Sequence, residues 1–332
     1  MKAIIPVAGA GTKLRPHTYT QPKALMPMAG KTILSVIVDD LLQAGIEEYI
    51  FIIGYLGDKI QKYITETYPN LQCTFVTQND RRGTGHAIWL TKDVVKNDEI
   101  LVVFGDTICD FDIQMVLNSS SSEIGIKRVE DPRNFGVAEV DAQQNVIKVV
   151  EKPLIPKSNM AMVGVYKVKE TATLFQTLED YLANDAEVDG EYHFTQALQK
   201  MIEQGVPFKA FKVNHWFDCG KKETILETNA TLLKSLSEKE HYTVANYPDA
   251  VIIPPVNIGK DCVIKNAIIG PSVSIGDNTT ITSSIIRNSI IGSYAVLDEV
   301  VLKSSIIGSD VYVHGMSQSL NIGDDTDIDL GS

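Results

Sequence analysis

The chain has 332 residues, of which 44% are apolar and 22% charged, and its formal charge is −12. Such a length holds two domains with a sizeable core, and such a composition excludes disordered and fibrous chains. An acidic balance without a basic stripe excludes a general nucleic-acid surface.

The first element is the short apolar run Ala3–Val7, of the kind that sits in the middle of a parallel sheet. It runs into Gly9-Ala10-Gly11, whose glycines allow main-chain N–H groups to approach a phosphate. Lys13, Arg15 and Lys23 follow in a stretch poor in acids, which makes the segment an anion cradle able to hold a triphosphate. It is neither the dinucleotide fingerprint, because Leu14 stands where the third glycine belongs, nor a Walker loop, because Leu25 stands where the leading glycine before Gly30-Lys31-Thr32 belongs.

Next come a helix over 33–44 stopped by Gly45, a buried strand over 49–53, a helix over 58–68, an extended run over 73–77, a helix over 86–95 and a strand over 100–104. This alternation is that of an α/β sheet with crossover helices. Ligands of such sheets bind beyond the carboxyl ends of the strands, where Gly9, Gln78 and Asp106 fall. Gln78 carries a donor and an acceptor that match the imide edge of uracil or thymine, and Gly83 lets a base lie close to main chain.

Asp106 ends the apolar strand 100–104, and Asp218 lies in the aromatic run Trp216-Phe217-Asp218-Cys219-Gly220. A carboxylate in such a place is costly without coordination, and one or two carboxylates with phosphate oxygens are a usual way to hold Mg²⁺. The competing reading of Asp218 is a cap for the helix after Lys221. Between these two acids, 135–141, 149–153 and 162–166 read as successive strands, with Glu151 free to accept from sugar hydroxyls and Lys152 to bind a phosphate.

After about residue 240 the grammar changes. Isoleucine and valine recur every five or six residues, and Ile-Gly pairs at 258–259, 269–270, 275–276, 291–292, 307–308 and 322–323 predict a parallel β-helix of about four or five coils, with glycines turning the corners. A helix over 224–235 joins the halves. Flat faces and open ends of the prism predict assembly into a homo-oligomer.

Cys73, Cys109, Cys219 and Cys262 are far apart with no Cys-x-x-Cys pair, so neither a zinc site nor a disulfide framework is expected. The apolar N-terminus is too short for a signal peptide, and no run approaches the roughly 20 apolar residues of a membrane span. The expected location is the cytoplasm, with no membrane partner.

The segments GAGTKLRPHTYTQPKALMP, the 78–87 loop, FGD, FGVAEVD, VEKP, VGVY, EYHFTQALQ and WFDCG occur in the order found in sugar-1-phosphate nucleotidylyltransferases, which residues 1 to about 235 resemble. The tail, closing on SLNIGDDTDID, resembles the longer form of glucose-1-phosphate thymidylyltransferase, and GTGHA is similar to the loop of uridylyl-transferring N-acetylglucosamine-1-phosphate enzymes. The resemblance implies an α/β fold with a Rossmann-like doubly wound mixed sheet over 1–236 and a hexapeptide-repeat left-handed parallel β-helix over 241–330. It implies that Ala8, Gly9, Gly11 and Thr12 hold nucleotide phosphates, that Gln78, Gly83 and Thr84 hold the base, and that Asp106 and Asp218 bind Mg²⁺. Gly136, Glu151 and Val163 would line the sugar pocket, Lys152 would meet the sugar phosphate, and Lys13 and Lys23 would serve catalysis. One departure is Lys13 where the family carries Arg, which keeps the charge and loses the fork.

The expected reaction is attack of a sugar 1-phosphate on the α-phosphorus of dTTP or UTP, releasing pyrophosphate, with glucose 1-phosphate ahead of N-acetylglucosamine 1-phosphate and mannose 1-phosphate. Two other classes stay open: a bifunctional or acyl-CoA-dependent hexapeptide acyltransferase using His314, the histidine of the repeat array, and a non-catalytic regulatory relative.

Overall fold

The structure is a computed structural model in which residues 1–184, 187, 190–237, 247–315 and 321–329 are described. Packing divides the chain into two units, one of residues 1–9 with 37–216 and the other of residues 10–36 with 217–332.

The first unit is built on a mixed sheet. Lys2–Pro6 lies between Glu48–Ile53 and Ile100–Val103, parallel to both, and Gln72–Thr77 continues the parallel part. Met160–Val168 then pairs antiparallel with Ile100–Val103, and Gly136–Val140 and Val146–Glu151 follow on that side. Ser122–Arg128 and Phe208–Lys212 extend it from Met160–Val168. Branched aliphatics form the central strands, whose successive residues are buried on both faces: Ile4 stands between Ile50 in one neighbour and Val102 in the other.

The helix expected over 86–95 is instead two, Thr84–Trp89 and Lys92–Val95. Buried Thr91 separates them: its hydroxyl donates to Ile88 O at 2.7 Å and its N–H to the same oxygen at 3.0 Å, which closes the first helix.

The second unit ends in three parallel sheets of four, five and five short strands, which form a left-handed parallel β-helix. Val256–Ile258, Val273–Ile275, Ile290–Ile291, Ile306–Ile307 and Asn321–Ile322 make one of its faces. Val273, Ile281, Ile286 and Leu297 fill the interior with no exposed surface. The expectation that glycines turn the corners is corrected. Asp261, Asn266, Asn278, Asn288 and Asp310 take left-handed φ values between +44° and +57°, which short polar side chains tolerate by bonding locally. Of the six Ile-Gly glycines only Gly270 has a positive φ. Gly259, Gly276, Gly292 and Gly308 are small because the next coil stacks on them: a Cβ on Gly276 would lie 2.5 Å from Ser293 N, and one on Gly292 2.5 Å from the Gly308 carbonyl carbon. Ser319 and Leu320 of the closing motif lie outside the described residues.

The expected joining helix spans Lys222–Ser237 and carries the buried amide that ties this unit together. Asn229 Oδ1 accepts from Ala29 N–H at 2.9 Å and from the Ser274 hydroxyl at 2.6 Å, linking the 10–36 segment and the prism through one side chain. Among the described residues no helix is long and apolar enough to cross a membrane.

Leu297 is enclosed by neighbouring coils, so Leu297→Ala leaves a cavity that the stacked backbone cannot close. The expected loss is about 3 kcal/mol of unfolding free energy, read by urea denaturation.

Candidate active site

In the first unit, three strand ends come to one edge of the parallel sheet. After Lys2–Pro6 the chain passes through buried Ala8, whose carbonyl accepts from Tyr55 N–H at 3.3 Å, to Gly9, which stands in open space at the surface. Gly9 has no positive φ, so its use is the room beside it rather than its backbone freedom. After Ile100–Val103 the Gly105 N–H donates to Pro6 O at 3.2 Å, and a Cβ there would collide with Val7. This close approach sets half-buried Asp106 beside the end of the first strand, with the Thr107 hydroxyl 3.4 Å from its Oδ1. After Gln72–Thr77, Gln78 N–H donates to Ile53 O at 2.8 Å, and its buried side chain turns back onto the loop that follows.

That loop is clamped by a distant segment. Gly83 has φ +94°, and a Cβ on it would lie 2.6 Å from Tyr192 O. Gly85 N–H donates to the same oxygen at 2.7 Å, Tyr192 N–H donates to Arg82 O at 2.8 Å, and Phe194 N–H donates to the Thr84 hydroxyl at 3.0 Å. The Arg82 guanidinium lies 4.8 Å from the Tyr192 ring centroid and also donates to its hydroxyl. Thr84 is therefore a brace of the loop.

A second cluster gathers Gly136 and Glu151. Glu151 Oε2 accepts from the Thr195 hydroxyl at 2.7 Å, and a Cβ on Gly136 would sit 3.2 Å from that carboxylate oxygen. Lys152 follows with φ +40° and its ammonium 3.8 Å from Glu151 Oε1. Val163 is buried, with its side chain against Gly125 and its carbonyl 3.9 Å from the Cys109 sulfur. Sequence reasoning assigned no role to Thr195, Tyr192, Arg82 or His86. The first two lie in EYHFTQALQ, whose presence was the only signal of them.

In the second unit, Gly11 has φ +59° and ψ 37°, and opens a turn Thr12–Leu14. The Thr18 hydroxyl donates to Gly11 O at 2.8 Å, and a Cβ on Gly11 would press on Lys23 Cβ at 3.0 Å, so Gly11 and the stem of Lys23 are neighbours. Thr12 and Lys13 are exposed, and the Arg15 guanidinium stacks on Tyr19 at 4.9 Å. The turn His17–Tyr19 is held by the terminal coil of the prism: the His17 ring bonds Asn321 Oδ1, the Thr20 hydroxyl bonds Asp324, and Pro16 lies over Gly323. Asp218 ends the strand His215–Asp218 and is half-buried, with Gly220 leaving room beside Oδ1. At the start of the helix that follows, Lys221 N–H donates to the Thr224 hydroxyl at 3.3 Å. His314 stands on an outer face of the prism with its Nδ1 3.1 Å from Asp298, which also bonds Thr282.

Residues 2–235 match the model of the nucleotidyl transferase family. The chain belongs to that family. It is 34% identical over 254 residues to the low-salt glycan biosynthesis nucleotidyltransferase Agl11 of Haloferax volcanii, covering 74% of this chain and 70% of that one. It is 29% identical to a glucose-1-phosphate thymidylyltransferase of Streptomyces antibioticus over 97% of this chain and 95% of the other. The bifunctional protein GlmU of Methanococcus vannielii is 33% identical over 74% of this chain, and the chain spans 58% of that relative's length. Among solved structures, a UDP-glucose pyrophosphorylase in complex with UDP-glucose matches in fold, with TM-score 0.61 at 22% identity over 70% of this chain and 98% of that one. A putative glucose-1-phosphate thymidylyltransferase from Bacillus anthracis matches with TM-score 0.60 at 25% identity over 73% of this chain and 97% of the other. Relatives of the family in this comparison are sugar-phosphate nucleotidyltransferases.

Two histidines here are held below their ordinary value of 6.5. Burial lowers His17 first, against the Asn321 bond and the Asp324 charge, and burial then the Arg82 charge lower His86. Each binds fewer protons folded than unfolded between its lowered value and 6.5, so stability rises with pH through that window. The urea midpoint should fall as pH drops from 7 through 6.5 toward 5, and a His17→Gln, His86→Asn double variant should flatten that slope.

Proposed function

We propose that the protein transfers a nucleotidyl group from dTTP or UTP to a sugar 1-phosphate, glucose 1-phosphate foremost, giving a nucleoside diphosphate sugar and pyrophosphate. The observation that carries this reading is the gathering of Ala8, Gln78 and Asp106 on one edge of a parallel sheet in a chain of the nucleotidyl transferase family. In this reading Ala8, Gly9, Gly11 and Thr12 hold the triphosphate with Lys13 and Lys23, and Gln78, Gly83 and Thr84 form the base site. Gly136, Glu151 and the Val163 main chain receive the sugar, with Lys152 at its phosphate. Residues 1–236 carry the chemistry, and residues 241–330 assemble copies of the chain through prism faces on which Val251, Val263, Val301 and Tyr312 stand exposed.

A phosphate oxygen of the sugar 1-phosphate forms the new bond to the α-phosphorus as the bond to the bridging oxygen of pyrophosphate breaks in line. The attacking phosphate is already an anion and needs no general base. The protein's work is alignment and screening of two mutually repelling anions by Lys13, Lys23 and Lys152. Among the described residues no three or more His, Cys, Asp or Glu side chains are grouped to hold a metal by themselves. Asp106 and Asp218 are hard oxygen donors, and such a pair suits Mg²⁺, which takes one or two carboxylates and completes its shell with phosphate oxygens and water. When bound, Mg²⁺ neutralises charge on the triphosphate. The acyl-transfer reading rests on the repeat array and on His314, whose Nδ1 lies 3.1 Å from Asp298.

A grid of nucleoside triphosphates against sugar 1-phosphates, scored by pyrophosphate release, tests this. The expected result is turnover confined to dTTP or UTP, and pyrophosphate from no combination would refute it. Asp106→Asn and Asp218→Asn should each lower kcat by about 100-fold or more at saturating magnesium, and wild-type turnover in both would remove the metal assignment.

A further inference from the structure

Gln78 is held so that its amide has a defined direction. Its Nε2 lies 3.1 Å from Gly83 O and 3.2 Å from His86 Nδ1. An amide nitrogen has two hydrogens, and these two acceptors use both. What the side chain has left for a ligand is Oε1, which can only accept.

The two acceptors are themselves fixed. Gly83 is pinned against Tyr192, and Gly85 N–H bonds the Tyr192 carbonyl. The His86 ring is buried and lies nearly parallel to Trp89, offset, with 6.1 Å between centroids at 20°. For Nδ1 to accept, the ring proton must be on Nε2, and the ring must be neutral. The groups that bear on its charge agree with that: burial and the Arg82 guanidinium disfavour the imidazolium, opposed by the Asp80 carboxylate and the ring's hydrogen bond with the Asp80 backbone. Turning the amide over would set Oε1 against both a carbonyl oxygen and an imidazole lone pair.

We propose that His86 is a positioning residue for base selection, which by accepting from Gln78 Nε2 aims Oε1 at the base so that it takes the ring N–H of uracil or thymine. The inference rests on the reading of the 78–84 loop as the base site and deepens it. Cytosine and adenine carry a lone pair on the ring nitrogen at the matching edge, so two acceptors would face each other and one buried polar group would go unpaired. Guanine carries a ring N–H and is not rejected by this contact. Selection in this scheme therefore depends on a residue that touches neither the base nor the phosphates.

The test compares UTP, dTTP and CTP as substrates, and as ligands by titration calorimetry, in the full-length protein. His86→Phe keeps a ring to stack on Trp89 and removes the acceptor. It should raise KM and Kd for UTP and dTTP about tenfold and narrow the UTP-to-CTP ratio of kcat/KM by a similar factor, leaving KM for the sugar phosphate in place. His86→Asn, whose Oδ1 can accept where Nδ1 did, should restore most of the ratio. An unchanged ratio in His86→Phe, or an equal loss on UTP and CTP, overturns the proposal. Wild-type protein that fails to prefer UTP or dTTP to CTP overturns the base-site reading itself, and with it this inference, before any variant is made.

Discussion

The parallel pairing of Lys2–Pro6 between Glu48–Ile53 and Ile100–Val103 is the constraint on which the first unit depends. Parallel neighbours end on the same side, so the chain must leave every one of them at a common edge. The main-chain bonds from Tyr55 to Ala8, from Gln78 to Ile53 and from Gly105 to Pro6 continue the ladder past the formal strand ends and hold the departing loops in step. With these in place, a small residue at 105 is obligatory, and the close approach of main chain there sets where Asp106 leaves the strand.

Much of this was legible in the chain. The branched-aliphatic runs 3–7, 49–53 and 100–104 announced strands buried on both faces, and the recurrence of isoleucine announced the prism. The misses share a cause. A helix over 86–95 has the right apolar period, but period says nothing of a hydroxyl turned back onto the helix, as Thr91 is. Glycines in the repeat suggested corners, whereas contact between successive coils, which no single repeat reveals, is what requires them. Thr195 and Tyr192 are more than 40 and 100 residues from the groups they brace, Glu151 and the 82–85 loop. Local pattern carries no information at such range.

The loop from Gly9 to Lys23 shows the same limit from another side. Its composition reads as a continuous anion cradle, yet residues 1–9 pack with the sheet and residues 10–36 with the prism unit. Asn229 explains the second allegiance: a fully buried amide needs partners, and it finds them in the Ala29 main chain and the Ser274 hydroxyl. The cations of the loop are not equivalent either: Arg15 and Lys13 are both exposed, and the Arg15 guanidinium lies over the Tyr19 ring.

The bonds from His17 to Asn321 and from Thr20 to Asp324 join positions 304 residues apart. During synthesis on the ribosome, the flank of the glycine loop emerges 304 residues ahead of the coil at Asn321–Asp324 and must wait for it before it meets its partners. Contacts so distant along the chain carry a loop-closure cost and favour slow formation, so a segment of the site made early relies on partners made late. A nascent chain whose prism is still unwound would already own its sheet, but not a settled flank for its glycine loop.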